Sequence, residues 1–233
     1  MLTYSRAELK QDAKAGLSNR WGLAIGSMLL ALFVPSLIIG FVEGLLSTFS
    51  SLCLSYQSYG IAGLLGILSS LFSLAAIIFF VGPLSMGYEF FSLRFVRGMN
   101  VNVTLPYRAF SSSCYMRLTV SFLMMNIFIF LWSLLFVIPG IIKSFSYAQM
   151  PYILMDHPEM GWKEALEESK RMMDGHKMDY FVLLLSFIPW LLLCGITFGI
   201  AFLYVGPYMQ MTCVNFYRGL KEEQLNVTRV LNG

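Results

Sequence analysis

The sequence predicts an all-α fold, a polytopic membrane helix bundle, and three observations lead to this prediction. The chain is 57% hydrophobic and 12% charged, whereas soluble domains carry about 25% charged residues. Its mean hydropathy is +0.68. Several apolar segments also reach about 20 residues, the length that a helix needs to cross the hydrocarbon core. Lipid, and not water, is therefore expected to contact most of the exterior.

Charge and cysteine content exclude several classes of function. The net charge of +3 is too small to indicate a nucleic-acid partner, because nucleic-acid-binding domains concentrate Lys and Arg on one face. The four cysteines have no metal-ligand spacing: Cys53, Cys114, Cys194 and Cys213. Three of them lie in or beside apolar stretches and are interpreted as small buried thiols. We predict no cofactor and no bound metal.

The first 20 residues are predicted to form an amphipathic helix on the cytoplasmic surface of the membrane. Ser5 and Glu8 have the spacing of a capping box. Apolar residues recur on one face of this helix at Leu9, Ala13 and Leu17. A polar stretch of this length, with no small-residue cleavage site after the apolar segment that follows, is not typical of a cleavable signal peptide.

The apolar segments that follow differ in how clearly they predict a membrane span. Residues 21–42, 61–83 and 118–138 each have the length of one span. The apolar run at 180–213 is too long for one span, and Cys194, Gly195 and Gly199 interrupt it near the middle. Glycine suits a tight turn between two helices, so this run is predicted to be a hairpin.

Two topologies are compatible with these segments. One has four spans and places residues 156–179 outside the cell. The other has six spans, with hairpins at Pro139-Gly140 and near Gly195. Short loops rich in Lys and Arg stay cytoplasmic, and in the six-span topology only Lys143 lies toward the outside. The charge pattern therefore favours six spans with both termini in the cytoplasm.

A second amphipathic helix is predicted at residues 159–175. Its apolar stripe consists of Trp162, Ala165, Leu166, Ser169, Met172 and Met173. This helix either lies at the lipid interface or packs under the bundle. The predicted organisation is an interfacial helix at 1–20, one transmembrane bundle at 21–220 that includes the helix at 159–175, and a cytoplasmic tail at 221–233.

Several short segments follow one another in a characteristic order. They are Leu9-Lys10-Gln11-Asp12-Ala13-Lys14, Asn19-Arg20-Trp21-Gly22, Ile138-Pro139-Gly140-Ile141-Ile142-Lys143, Pro151-Tyr152-Ile153-Leu154, Met172-Met173-Asp174-Gly175-His176-Lys177 and Gly206-Pro207-Tyr208. In this order they resemble a bacterial family known as domain of unknown function 975, over nearly the whole chain. The resemblance implies a multi-pass protein of the bacterial cytoplasmic (inner) membrane and supplies no activity. More loosely, Glu164-Ala165, Ser169 and Gly175-His176 resemble the membrane domain of some glycerophosphodiester phosphodiesterases.

Polar residues within apolar segments are the first candidates for function, because burying a charge in lipid is costly. Lys143 is interpreted either as an anion or headgroup contact or as a lysine that extends to the outer interface. Glu89 either faces a cavity, where it can carry a proton, or pairs with Arg94 or Arg117. The candidate ligand or partner contacts are Lys143, Tyr147, Gln149, Glu89, Trp162, Leu166 and Met173.

The preferred hypothesis is a non-catalytic membrane module that binds lipid, a hydrophobic peptide or a partner protein. The alternative is a small transporter or channel that uses Lys143, Glu89 and two helices broken at Val81-Gly82-Pro83 and Val205-Gly206-Pro207. We assign no catalytic residue and do not predict an enzyme. Gly22 and Gly26 form a GxxxG pattern, which suits either a homo-oligomer or packing within one chain.

Overall fold

The computed structural model describes residues 5–111 and 114–232, and this part of the chain is helical with short connections. Its helices are α1 Arg6–Leu17, α2 Trp21–Ser55, α3 Tyr59–Val96, α4 Tyr115–Leu135, α5 Val137–Tyr147, α6 Met150–Asp156, α7 Trp162–Met172, α8 Lys177–Ile196 and α9 Phe202–Asn232. A short 3-10 helix, Leu105–Phe110, lies between α3 and α4. Among the described helices α2, α3, α4 and α8 are long and apolar enough to cross a membrane.

Helix α1 begins with the capping box that the sequence predicts. The Glu8 backbone N–H donates to Ser5 Oγ at 3.3 Å, and the Ser5 backbone N–H donates to Glu8 Oε2 at 2.6 Å. The apolar residues Leu9, Ala13 and Leu17 are buried. The helix packs against α9, where Asn215 donates to the Leu9 carbonyl oxygen at 3.2 Å. Its location on a membrane surface stays a prediction.

Helices α2 and α3 form a long hairpin whose outer arms, Val34–Ser55 and Tyr59–Ala76, pack mainly against each other. The chain turns at Gln57, whose φ is 57°. Between residues 33 and 80, all of which are described, only Pro35 and Ala62 are buried. Large apolar side chains such as Leu37 and Phe41 point outward, with 71% and 69% of their surface exposed. An apolar surface of this extent is compatible with a membrane protein, where lipid would cover it.

The α4–α5 hairpin turns at Phe136, not at Pro139-Gly140. Phe136 is extended, with φ −157° and ψ 147°, and α5 begins at the next residue. Proline is tolerated in the first turn of a helix, where the N–H groups lack intrahelical partners, so Pro139 lies inside α5. Gly140 allows the two arms to approach, because a Cβ there would lie 2.8 Å from the Cα of Ser133.

The α8–α9 hairpin turns at Phe198 and Gly199, whose φ angles are 50° and 85°. The predicted turn near Gly195 is therefore present, but the glycine with positive φ lies four residues later. Helix α8 is itself interrupted between Leu185 and Ile188. The six-span topology stays a prediction, since α5 has 11 residues and at about 1.5 Å per residue spans roughly half of a hydrocarbon core.

The buried core lies away from the three exposed hairpin turns. It is built from α1, the first part of α2, the last part of α3, α6 and α7, and the middle of α9. The apolar stripe of α7 packs against α4, α5 and α6, and Trp162 contacts the Phe128 ring at 6.1 Å between centroids. The position of this helix relative to a membrane stays a prediction.

Candidate functional site

Lys143 lies in α5 and contacts a tryptophan of the facing helix. Its Nζ is 4.5 Å from the centroid of the Trp132 ring, a cation–π geometry. The charges of Lys170 and Lys177 also act on Lys143. The placement of Lys143 toward the outer side of a membrane stays a prediction.

Gln149 and Met173 meet where α7 packs against the preceding helices, with Gln149 Nε2 3.4 Å from Met173 Sδ, and Tyr147 is buried at the end of α5. The Gln149 backbone N–H donates to Ser169 Oγ at 3.2 Å, and Ser169 Oγ donates to the Ser146 carbonyl oxygen at 2.9 Å. Exposed fractions are 4% for Tyr147, 1% for Gln149 and 0% for Met173. A partner would reach these side chains only if α7 moved.

Trp162 and Leu166, the two other candidates on α7, are half-buried and pack against the same core. Their side chains lie at the edge of the contact between α7 and the preceding helices, near the protein surface. Their assignment as partner contacts stays a prediction, as it does for the buried members of the set.

Glu89 has polar partners on two other helices. Gln210 Nε2 of α9 donates to the Glu89 carboxylate and also lies 3.1 Å from the Tyr152 hydroxyl of α6. Tyr152 hydrogen-bonds Glu89 as well. These partners replace the Arg94 and Arg117 that one interpretation of the sequence offered. The three side chains form a polar cluster inside an otherwise apolar packing region.

Asp156, at the end of α6, joins three helices through one carboxylate. Arg97, directly after α3, donates to both carboxylate oxygens at 2.6 and 2.7 Å. On α9, Lys221 Nζ donates at 2.6 Å and the Tyr217 hydroxyl at 3.0 Å. Burial opposes ionisation of Asp156, but the hydrogen bonds and charges of Arg97 and Lys221 outweigh it and lower its pKa to about 2.

The cluster at Asp156 was not predicted from the sequence. Arg97 and Lys221 lie 59 and 65 positions from Asp156, so no local spacing connects them. The available signal was an acidic residue two positions after the apolar segment Pro151-Tyr152-Ile153-Leu154, where burial would require cationic partners.

An aromatic cavity lies between α1, α2, α8 and α9, with a volume of about 250 Å³. Trp21 and Tyr204 form one wall, with ring centroids 5.6 Å apart. Trp190 and Tyr208 form another, with centroids 6.3 Å apart at an interplanar angle of 82°. Lys14 lines the same cavity and is exposed. The sequence analysis noted none of these residues as a site.

Lys10 lies one helical turn before Lys14 and contacts the interruption in α8. Its Nζ donates to the Ser186 carbonyl oxygen at 3.1 Å and lies 4.3 Å from the centroid of the Phe187 ring. Partial burial lowers the pKa of Lys10. Because the interruption frees carbonyl oxygens of α8 from their helical partners, Lys10 can fix α1 against α8 at the edge of the aromatic cavity.

The two histidines stand apart from each other. His157 contacts Glu159 at 3.1 Å, whereas His176 lies 3.5 Å from Asp179 and 3.7 Å from Glu223. Within residues 5–111 and 114–232 no three His, Cys, Asp or Glu side chains are grouped so that they could hold a metal ion.

Comparison with known proteins identifies the family. The family model described as a protein of unknown function (DUF975) matches residues 1–146 and 134–224. No curated protein and no solved structure matches the chain. The looser resemblance to glycerophosphodiester phosphodiesterases finds no support in these comparisons. Since the two matches together extend over nearly the whole sequence, the chain belongs to the DUF975 family of proteins of unknown function.

Proposed function

We propose that this protein is a non-catalytic integral membrane module that binds a membrane lipid. The aromatic cavity is the observation that carries the proposal. Its lining combines two tryptophans and two tyrosines with one lysine at the edge. Trp and Tyr are enriched where a membrane protein crosses from hydrocarbon to headgroups, and lysine attracts the phosphate of an anionic lipid.

The position of the cavity in the fold supports a lipid as its occupant. Trp21 is the first residue of α2, directly after Arg20, and Trp190 follows the interruption of α8. Beyond the cavity, α8 exposes apolar side chains such as Leu192, with 64% of its surface accessible. An acyl chain in the cavity would continue along this surface, while its headgroup stayed beside Lys14.

Photo-crosslinking tests the proposal. Full-length protein in phosphatidylcholine nanodiscs containing a diazirine-labelled phospholipid is irradiated, and the adducts are mapped by mass spectrometry. We expect saturable labelling of the cavity residues that excess unlabelled lipid suppresses. The Trp190→Ala/Tyr204→Ala variant is expected to lose most of this labelling. Phe41→Ala/Phe130→Ala, which removes two exposed rings from hairpin arms, is the matched control.

Two results would contradict lipid binding at this site. One is labelling spread evenly over all exposed apolar residues and not suppressed by unlabelled lipid. The other is equal labelling of the cavity in the two variants.

The alternative function, a small transporter or channel, is supported by the polar cluster at Glu89. An ionisable residue in an apolar helix is a candidate proton carrier, and Glu89 shares its cluster with Tyr152 and Gln210. Proton flux into liposomes that falls at least about tenfold in Glu89→Gln would favour transport. Flux at the level of protein-free liposomes would remove this alternative.

A further inference from the structure

Three arginines converge on a second cavity, which we call the arginine cavity, with a volume of about 450 Å³. Arg94 comes from the end of α3, Arg108 from the 3-10 helix and Arg117 from the first turn of α4. Phe90 and Met155 add apolar surface to the lining. The arginine cavity therefore combines three permanent positive charges with an apolar wall.

Local contacts hold these arginines in place. The Arg94 guanidinium lies over the Phe90 ring, 4.4 Å from its centroid, and Arg117 donates to the Pro158 carbonyl oxygen. Arg108 is carried by a segment that approaches α3 closely at Gly87, where a Cβ would lie 3.0 Å from the carbonyl carbon of Pro106. The backbone segments that carry the three arginines are therefore held in fixed positions.

The nearby carboxylates are engaged elsewhere. Asp156 binds Arg97 and Lys221, and Glu89 binds Gln210. Glu159 interacts electrostatically with Arg117, but 71% of its side chain is exposed and it contacts His157. No carboxylate is among the residues that line the arginine cavity in the described part of the chain.

We propose that the arginine cavity binds a phosphate-bearing anion. Guanidinium groups bind phosphate oxygens through paired, charge-assisted hydrogen bonds, and an anion would relieve the repulsion among three neighbouring cations. Arg94 and Arg117 lie at the polar ends of α3 and α4, the level at which basic pockets meet lipid headgroups. The anion is either the headgroup of an anionic phospholipid or a soluble phosphorylated molecule. This site is separate from the aromatic cavity.

Native mass spectrometry of the full-length protein in neutral detergent tests the proposal. The protein is titrated with phosphatidylglycerol, with phosphatidylcholine and with inorganic phosphate. Arg108→Gln/Arg117→Gln removes two guanidinium groups from the arginine cavity. Arg6→Gln/Arg229→Gln, at two exposed positions, changes the net charge by the same amount and is the matched control.

We expect one tightly bound phosphatidylglycerol fewer in the Arg108→Gln/Arg117→Gln variant. The apparent affinity of this variant for phosphatidylglycerol should fall at least about tenfold, as expected for the loss of two charge-assisted contacts. The affinity of the control variant should stay within about twofold of wild type. A lipid headgroup is the source if inorganic phosphate does not compete. A soluble phosphorylated molecule is the source if inorganic phosphate binds wild type, not the variant, and phosphatidylglycerol binds no better than phosphatidylcholine.

The proposal is overturned if neither phosphatidylglycerol nor phosphate distinguishes the variant from the control. If the double variant aggregates, Arg108→Gln alone supplies the comparison, because Arg108 is exposed. The aromatic cavity keeps all of its residues in these variants. The tests of lipid binding in the aromatic cavity and of anion binding in the arginine cavity can therefore have different outcomes.

Discussion

Replacing Asp156 with Asn tests whether one carboxylate holds three helices together. The substitution preserves the size of the side chain and removes its charge. Arg97 and Lys221, both 2.6 Å from the carboxylate, would then face a neutral amide whose NH₂ group cannot accept a hydrogen bond. The ends of α3 and α6 and the middle of α9 would lose their common ionic partner.

The expected magnitude follows from the burial of the three side chains. Asp156 is 6% exposed, whereas Arg97 and Lys221 are 30% and 35% exposed. Removing one partner of a fully buried pair costs about 3–5 kcal/mol, and partial exposure of both cations reduces this figure. The fall of the Asp156 pKa from 3.8 to about 2 corresponds to about 2 kcal/mol. We expect a loss of about 2–3 kcal/mol in the free energy of unfolding.

Thermal unfolding of the full-length protein in detergent measures this loss. For a chain of this size, about 2–3 kcal/mol corresponds to a fall in Tm of roughly 5–10 °C. Asp174→Asn, at an exposed position, is the matched control and should leave Tm nearly unchanged. The reasoning is refuted if the Tm values of the two variants agree within about 1 °C, since the carboxylate would then contribute no net stability.

The pH dependence of Tm gives a second measurement on the same residue. The pKa of Asp156 is lower in the folded protein than its ordinary 3.8, so its stabilisation is fully present above that value. It is lost as the pH falls through the folded pKa of about 2. Wild type should therefore lose more stability than Asp156→Asn between about pH 4 and pH 2. Parallel pH profiles would contradict this assignment.

Two further substitutions test the packing of the helices, again by Tm of the full-length protein. Gly140→Ala places a Cβ 2.8 Å from the Cα of Ser133 and should destabilise the folded protein by about 1–3 kcal/mol. The control Gly44→Ala, which has open space around it, should leave the stability unchanged or raise it slightly. Equal effects of the two substitutions would contradict the close approach of α4 and α5. Ser169→Ala removes the acceptor of the Gln149 N–H and the donor to Ser146, at an expected cost of about 1–3 kcal/mol; an unchanged Tm would show that these bonds contribute little.

The apolar segments predicted where helices begin more reliably than where they end. The predicted span at 21–42 begins with α2, but α2 continues to Ser55. Hydroxyl groups that suggest a loop are accommodated inside the helix, because Thr48 Oγ1 donates to the Gly44 carbonyl oxygen at 2.8 Å and Ser55 Oγ to that of Ser51 at 3.0 Å. Pro139-Gly140 was expected to form a turn but lies inside α5, because proline suits the first turn of a helix and Gly140 allows the close approach of Ser133.

The features that the sequence determined by itself are either interactions within one helical turn or sums over neighbouring residues. The capping box of Ser5 and Glu8 acts within one helical turn, and the hydropathy of helices such as α2 is a sum over neighbouring residues. The partners of the polar side chains were decided by the tertiary structure alone. Trp21 meets Tyr204, and Asp156 meets Lys221, only after helices distant in sequence have packed together. The energy of such contacts depends on burial and mutual orientation, and neither is encoded in the spacing of residues along the chain.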